Sequence, residues 1–115
     1  MADKRQHDLS VSNYGTARQL DYDIAIQPWG ATEPHNLHLP YLTDAILSHD
    51  VAVDAAMAAK DAYGINAMVM PPVALGAQNP GQRELPFCVH TRYATPYAVE
   101  RAIVAEQDQN GMRRQ

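Results

Sequence analysis

The 115-residue sequence has one cysteine, few basic clusters and no long apolar run. Its single cysteine, Cys88, has no partner for an internal disulfide, which favours a reducing compartment. The paired basic residues Lys4-Arg5 and Arg113-Arg114 lie near the termini, and the net charge of −4 argues against a dedicated nucleic-acid binder. No segment has the pattern of a signal peptide or a membrane span. The sequence therefore predicts a cytoplasmic protein with no nucleic-acid or membrane partner.

The length predicts one domain, which is large enough to bury a core without disulfides. Residues 1–20 are polar and lack a clear period, so we predict a mostly irregular arm there. In residues 21–115 we predict strands at 24–26, 66–70 and 87–91, helices at 44–62 and from 95 to about 108, and a loop at 75–85. The strand at 66–70 is continuously apolar, which is typical of a strand covered on both faces. The order indicates an α/β fold with a mainly parallel sheet flanked by helices.

The ends of the first long helix carry local signals. Thr43 or Asp44 is predicted to cap its amino terminus, because a side-chain oxygen there accepts a bond from an otherwise unpaired backbone N–H. Gly64 is predicted to end the helix in the left-handed conformation. At the second long helix, Thr95 is predicted to be the cap and Pro96 the first helical residue, and Gly111 marks the end.

Four residues that could bind a metal ion lie close together in the chain: Glu33, His35, His38 and Asp44. They lie in a loop leaving the end of a strand, where open α/β sheets place their sites. Carboxylate and imidazole groups hold Zn²⁺, Mn²⁺ and related ions. In extended backbone Glu33 and His35 project to the same side, and the helix dipole keeps the Asp44 carboxylate ionised. The spacing alone leaves open that the histidines are surface residues and that Asp44 is only a helix cap.

The surrounding residues resemble a known family. Pro28-Trp29-Gly30-Ala31-Thr32-Glu33-Pro34-His35-Asn36-Leu37-His38-Leu39-Pro40, followed by Thr43-Asp44, resembles the signature of the creatininase (creatinine amidohydrolase) family. Val69-Met70-Pro71-Pro72 and Leu75-Gly76 resemble its second block. The resemblance covers roughly residues 23–113. It implies a three-layer α/β/α fold, a homo-oligomer, and metal-dependent hydrolysis of a C–N bond in a cyclic amide or formamide-like small molecule.

The resemblance also implies roles for individual residues. Glu33 and His35 would each bind one of two divalent ions, Zn²⁺ or Mn²⁺, and Asp44 would bridge both. His38 would lie near the site without binding a metal. No residue of this chain is assigned by the resemblance as the acid or base at the leaving nitrogen.

Three departures from the family pattern bear on function. Asn36-Leu37 replaces a Gly-Pro pair between the histidines, and Arg83-Glu84-Leu85-Pro86-Phe87-Cys88 replaces a loop ending in Phe-Pro-Gly-Thr, so creatinine is not assumed as the substrate. Family members are also considerably longer and continue into further metal ligands. Residues 21–115 are therefore expected to form the amino-terminal half of such an enzyme, truncated and poorly active alone. The alternative is a non-catalytic metal-binding or interaction module that retains the family's amino-terminal fold.

Five other residues have simpler interpretations. Cys88 is predicted to be a small core residue, and His90 a strand residue with an ordinary hydrogen-bond partner. His7 and His49 are predicted to be exposed. Trp29, beside the motif, either lines a pocket or packs in the core.

Overall fold

The structure, a computed structural model, describes residues 2–109, with side chains described as far as residue 106. Within these residues it has two strands, β1 (Ile24–Ile26) and β2 (Ala67–Val69). The helices are α1 (Tyr14–Ala17), α2 (Thr43–Tyr63), α3 (Pro80–Arg83) and α4 (Ala94–Gln109), and a short 3₁₀ helix spans Lys4–Gln6.

The two strands pair in parallel, with Ile24 opposite Ala67 and Ile26 opposite Val69. A parallel pair needs a crossover connection, and α2 provides it. All three residues of β2 are buried, as its continuous apolar character predicts. The ladder continues beyond the strands, where Trp29 and Val73 form a further parallel bridge. The mainly parallel sheet predicted from the sequence is confirmed.

The core lies between α2 and β2. Val53 and Ala56 of the helix pack with Ala67 and Val69 of the strand, and all four are buried. The small alanine at position 56 lets the helix approach the sheet closely. This packing fixes the axis of α2 and therefore the place where its first turn begins.

The two ends of α2 differ in how well the sequence predicts them. Gly64 ends the helix at φ 70°, in the left-handed region as predicted. The predicted cap is wrong, because the N-cap residue is Leu42 and no side chain in the described part of the chain caps the helix. The Thr43 hydroxyl instead donates to the carbonyl of Pro40 at 2.6 Å. Asp44 lies within the first turn, and its carboxylate is left available for other contacts.

The amino-terminal segment forms part of the sheet edge. The backbone N–H of Val69 donates to the carbonyl of His7 at 3.0 Å, and that of Leu9 donates to the carbonyl of Val69 at 2.9 Å. His7 is completely buried and Asp8 is 1% exposed, so the predicted exposure of His7 is wrong. The segment predicted as irregular therefore covers one edge of β2, while β1 covers the other. Among residues 2–109, β1 has β2 as its only strand partner.

His49 is also less exposed than predicted, because it contacts that same segment. The side chain of His49 is 15% exposed, and its Nε2–H donates to Oδ1 of Asp8 at 2.9 Å. This contact ties the amino-terminal segment to α2 as well as to the sheet.

The third predicted strand is not formed. In residues 87–91 the structure has only an isolated parallel bridge between Gly76 and His90. The backbone donors there go to different partners, since Val89 N–H bonds Thr32 and Thr91 N–H bonds Gly76. No neighbouring strand within residues 2–109 accepts these hydrogen bonds in register, so a ladder does not develop.

The carboxyl-terminal part otherwise follows the local signals. The prediction of a loop at 75–85 is partly wrong, because the segment contains α3, where the Asn79 side chain accepts a hydrogen bond from the backbone N–H of Gln82. α4 begins at Ala94, two residues before the predicted first helical residue Pro96, so Thr95 lies inside the helix. The predicted end at Gly111 lies outside the described residues. Among the helices the structure describes, none has both the length and the apolar character needed to cross a bilayer.

Candidate metal centre

The connection from β1 to α2 carries all three predicted ligands. Glu33 and His35 lie in the loop, and Asp44 lies in the first turn of α2. The loop folds back on itself, because His35 and Leu39 form an antiparallel bridge and Glu33 N–H donates to the Tyr41 carbonyl at 3.2 Å. This fold brings residues nine and eleven positions before Asp44 next to its carboxylate.

The three side chains converge. One ligand atom from each of Glu33, His35 and Asp44 lies within 4.8 Å of the others. Nε2 of His35 is 3.1 Å from Oδ1 of Asp44 and 3.9 Å from Oε1 of Glu33. Ligands of zinc lie about 2.0–2.2 Å from the ion, so two ligands of a tetrahedral site are roughly 3.4 Å apart. Small side-chain rotations therefore suffice to place all three around one ion.

The orientation of the His35 ring suits a ligand. Its Nδ1–H donates to the backbone carbonyl of Glu33 at 3.1 Å. This bond assigns the hydrogen to Nδ1 in the neutral ring and leaves the Nε2 lone pair directed at the two carboxylates. Metal-binding histidines commonly use their second nitrogen in this way.

The electrostatics of the group also favour a bound cation. Burial raises the pKa of Glu33, and the neighbouring Asp44 carboxyl raises it further. The bond to the Glu33 carbonyl raises the pKa of His35, and the negative charge of Asp44 adds to this effect. Without a metal, a proton takes the place of the missing positive charge. The donor types and spacing thus fit one divalent ion, and no second group of three such residues occurs among those the structure describes.

The other candidate residues lie elsewhere. His38 is exposed on the hairpin between His35 and Leu39, and it is not one of the three converging residues. His90 accepts a hydrogen bond from the backbone N–H of Gln78 at 2.8 Å through Nδ1, so it has an ordinary partner, although it is exposed. Cys88 is half-buried. Trp29 lines a cavity of about 500 Å³ together with residues of α4, so of its two interpretations the structure supports the pocket.

Sequence reasoning missed one group beside the centre. The rings of Tyr41 and Phe87 meet edge to face, with centroids 6.5 Å apart. The Tyr41 hydroxyl donates to the Pro86 carbonyl at 2.7 Å. No short motif links these residues, because they are far apart in the chain and meet only after the loops fold.

The chain is similar in sequence and in structure to proteins of one known family. The sequence profile of the creatininase family, described as creatinine amidohydrolase, matches residues 7–115. The chain belongs to the creatininase family. The match begins at His7, the first residue that pairs with β2, so the family's pattern includes the amino-terminal sheet edge.

A crystal structure supports the creatininase fold. A protein from Bacteroides fragilis NCTC 9343, named as a candidate creatinine amidohydrolase, superposes with a TM-score of 0.93 and 60% sequence identity. The alignment covers 96% of this chain and 44% of that protein. The creatininase-like fold predicted from the sequence is therefore confirmed, and the chain spans less than half the length of this relative. None of the functionally curated proteins matches the chain significantly.

Proposed function

We propose that this creatininase-family chain supplies the metal centre of a hydrolase that cleaves a non-peptide C–N bond in a cyclic amide or formamide-like small molecule. The observation that carries the proposal is the convergence of Glu33, His35 and Asp44, because two carboxylates and an imidazole fit a divalent ion. Family membership supports the hydrolase class.

Each residue has a distinct part in the proposed centre. Glu33 and His35 bind the ion, and the Nδ1 bond to the Glu33 carbonyl holds the imidazole in the ligating tautomer. Asp44, whose side chain is 41% exposed, has an oxygen available to face a second ion. A Zn²⁺ or Mn²⁺ ion in such a site supplies Lewis acidity, which makes water nucleophilic near neutral pH and polarises a carbonyl. His38 is proposed to lie near the substrate rather than on the metal.

The number of ligands limits what the chain does alone. Three protein ligands fit one ion, whereas a two-ion centre needs additional ligands. We therefore propose that the 115-residue chain has little turnover without further ligands. A single group of three possible ligands among the described residues also favours a second candidate function, that of a metal-binding module without catalysis.

A metal analysis and an assay of turnover together test the proposal. The purified chain is expected to bind about one Zn²⁺ or Mn²⁺ per molecule, and Glu33→Gln and His35→Gln should each abolish this. Asp50→Asn is the matched control, because Asp50 is an exposed carboxylate on α2 outside the group. Metal-dependent hydrolysis of creatinine supports the enzyme. Because little turnover is expected of the chain alone, metal binding with no binding of creatinine supports the module. Unchanged metal content in both ligand variants would contradict either function.

Self-association and location complete the proposal. We propose a homo-oligomer, because α2 exposes the large apolar side chains of Leu47 and Val51, which are 62% and 59% accessible. Such patches commonly mark contact surfaces. Sedimentation at micromolar concentration tests this, and a monodisperse monomer would contradict it.

A cytoplasmic location is proposed from the single cysteine.

A further inference from the structure

Phe87 has an unusual backbone conformation for its residue type. Its φ is 60°, in the left-handed region that favours glycine. It follows Pro86 in a turn closed by a 3.2 Å hydrogen bond from Cys88 N–H to the Leu85 carbonyl. In a turn with proline at the second position and positive φ at the third, the third residue is usually glycine or asparagine. A phenylalanine there is strained.

Burial does not offset this strain within the chain. The Phe87 side chain is 86% exposed, so little apolar surface is removed from water. Glycine would satisfy the turn without strain, whereas the sequence keeps a large aromatic ring on the surface. Strained residues of this kind cluster at active sites and at positions that hold a ligand.

The strained turn is attached to the metal loop at two points. Tyr41 contacts the Phe87 ring and bonds Pro86, and its own carbonyl accepts the N–H of Glu33. On the other side, Val89 N–H donates to the carbonyl of Thr32 at 2.9 Å, the residue before Glu33. The ring is thus held beside the loop that carries two of the three converging residues.

We propose that Phe87 is a substrate-positioning residue, whose exposed ring forms an apolar wall beside the metal centre and packs against the planar face of a cyclic amide. The proposal rests on the function proposed above and assigns a residue that would position the substrate of that site. Aromatic rings pack well against flat groups in offset or edge-to-face arrangements. The strained backbone conformation then holds the ring outward, where the substrate contacts the ring.

Two variants distinguish the effect of removing the ring from the effect of relieving the backbone strain. Phe87→Ala and Phe87→Gly both remove the ring, but only glycine relieves the positive φ. Both should weaken creatinine affinity roughly threefold to tenfold, the range of one aromatic contact. Affinity is read as KM or, where turnover is absent, as the dissociation constant from calorimetry on the zinc-loaded chain. Where turnover occurs, kcat should change less than KM. The glycine variant should unfold at a higher temperature than the alanine variant.

A spectroscopic probe is specific to this residue, because Phe87 is the only phenylalanine of the chain. Incorporated 4-fluorophenylalanine gives one ¹⁹F signal, which should shift to saturation as creatinine is added to the zinc-loaded protein. This inference would be overturned if creatinine binds or is hydrolysed while the ¹⁹F signal does not move and both variants keep their affinity. The proposed function would then still stand. If the ring instead packs against another copy of the chain, both variants would dissociate the oligomers and leave creatinine affinity unchanged. That result would also overturn this inference. Absence of any creatinine binding would overturn both proposals for this substrate.

Discussion

Gly30 lies against the backbone of Ala45, so closely that a Cβ atom at position 30 would be 2.5 Å from both the Cα and the backbone nitrogen of Ala45. The contact joins the loop after β1 to the first turn of α2. Because Asp44 immediately precedes Ala45, the absent side chain of Gly30 sets the distance between Asp44 and the loop ligands.

We therefore expect Gly30→Ala to push the loop away from α2. Overpacking of this kind costs roughly 1–3 kcal/mol of unfolding free energy, and zinc affinity should fall because Asp44 no longer meets Glu33 and His35. Gly76→Ala is the matched control, since the nearest atom to its Cβ would be 3.7 Å away. Chemical denaturation and zinc titration measure both effects. Equal behaviour of the two variants would contradict the role of the close contact.

Metal affinity should increase with pH. The pKa of His35 is raised from 6.5 and that of Glu33 is raised from 4.5, so protons compete with the ion for both groups. Below the raised His35 pKa, zinc affinity should rise by roughly tenfold per pH unit for one displaced proton, and it should level off above that pKa. Calorimetry in buffers of different ionisation enthalpy counts the protons released. Proton release that stays at zero across this range would contradict the assignment of His35 as a ligand.

Glu33→Gln should stabilise the metal-free protein at neutral pH while abolishing metal binding. The folded-state pKa of Glu33 is raised by burial and by Asp44, so its contribution to stability is present below its unfolded pKa and is lost as pH rises through the folded value. Near pH 4 the protonated glutamate resembles glutamine, and the two proteins should unfold alike. As the pH rises to 7, the variant should become the more stable of the two. Urea unfolding in the presence of a chelator, at several pH values, measures the difference in unfolding free energy between the two proteins and tests its sign.

Asp8→Asn should destabilise the fold at a distance from the metal centre. The buried Asp8 carboxylate accepts bonds from His49 Nε2 at 2.9 Å and from Ser10 N–H at 3.0 Å. Weakening these bonds should lower the free energy of unfolding by about 1–3 kcal/mol. Asp50→Asn is the control, because the Asp50 side chain is 68% exposed and its carboxylate is 3.6 Å from His49, so its effect should stay within about 0.5 kcal/mol. Zinc affinity should be the same in both.

The elements that the sequence predicts well depend on nearby residues. The end of α2 needs only Gly64, and β2 needs only a short apolar run between breakers. The convergence of Glu33, His35 and Asp44 was also predictable, because a strand end and a helix start confine all three. Their role as ligands stays a prediction.

The features that were missed depend on contacts between distant segments. Burial of His7 follows from its bond to the Ala67 carbonyl, sixty residues away, which no local period reveals. The strand expected at 87–91 fails because its backbone donors are divided between two loops. The Tyr41–Phe87 contact requires a left-handed phenylalanine, which residue preferences argue against.

The pairing of His7 and Leu9 with Val69 also constrains how the protein is made. Translation proceeds from the amino terminus, so the edge segment emerges from the ribosome long before the strand it covers. It stays unpaired until β2 has been synthesised, and closing this sixty-residue loop costs more entropy than forming any turn of α2. The helix is thus able to form early, whereas the sheet edge closes late, and until then β2 offers an open edge to other nascent chains.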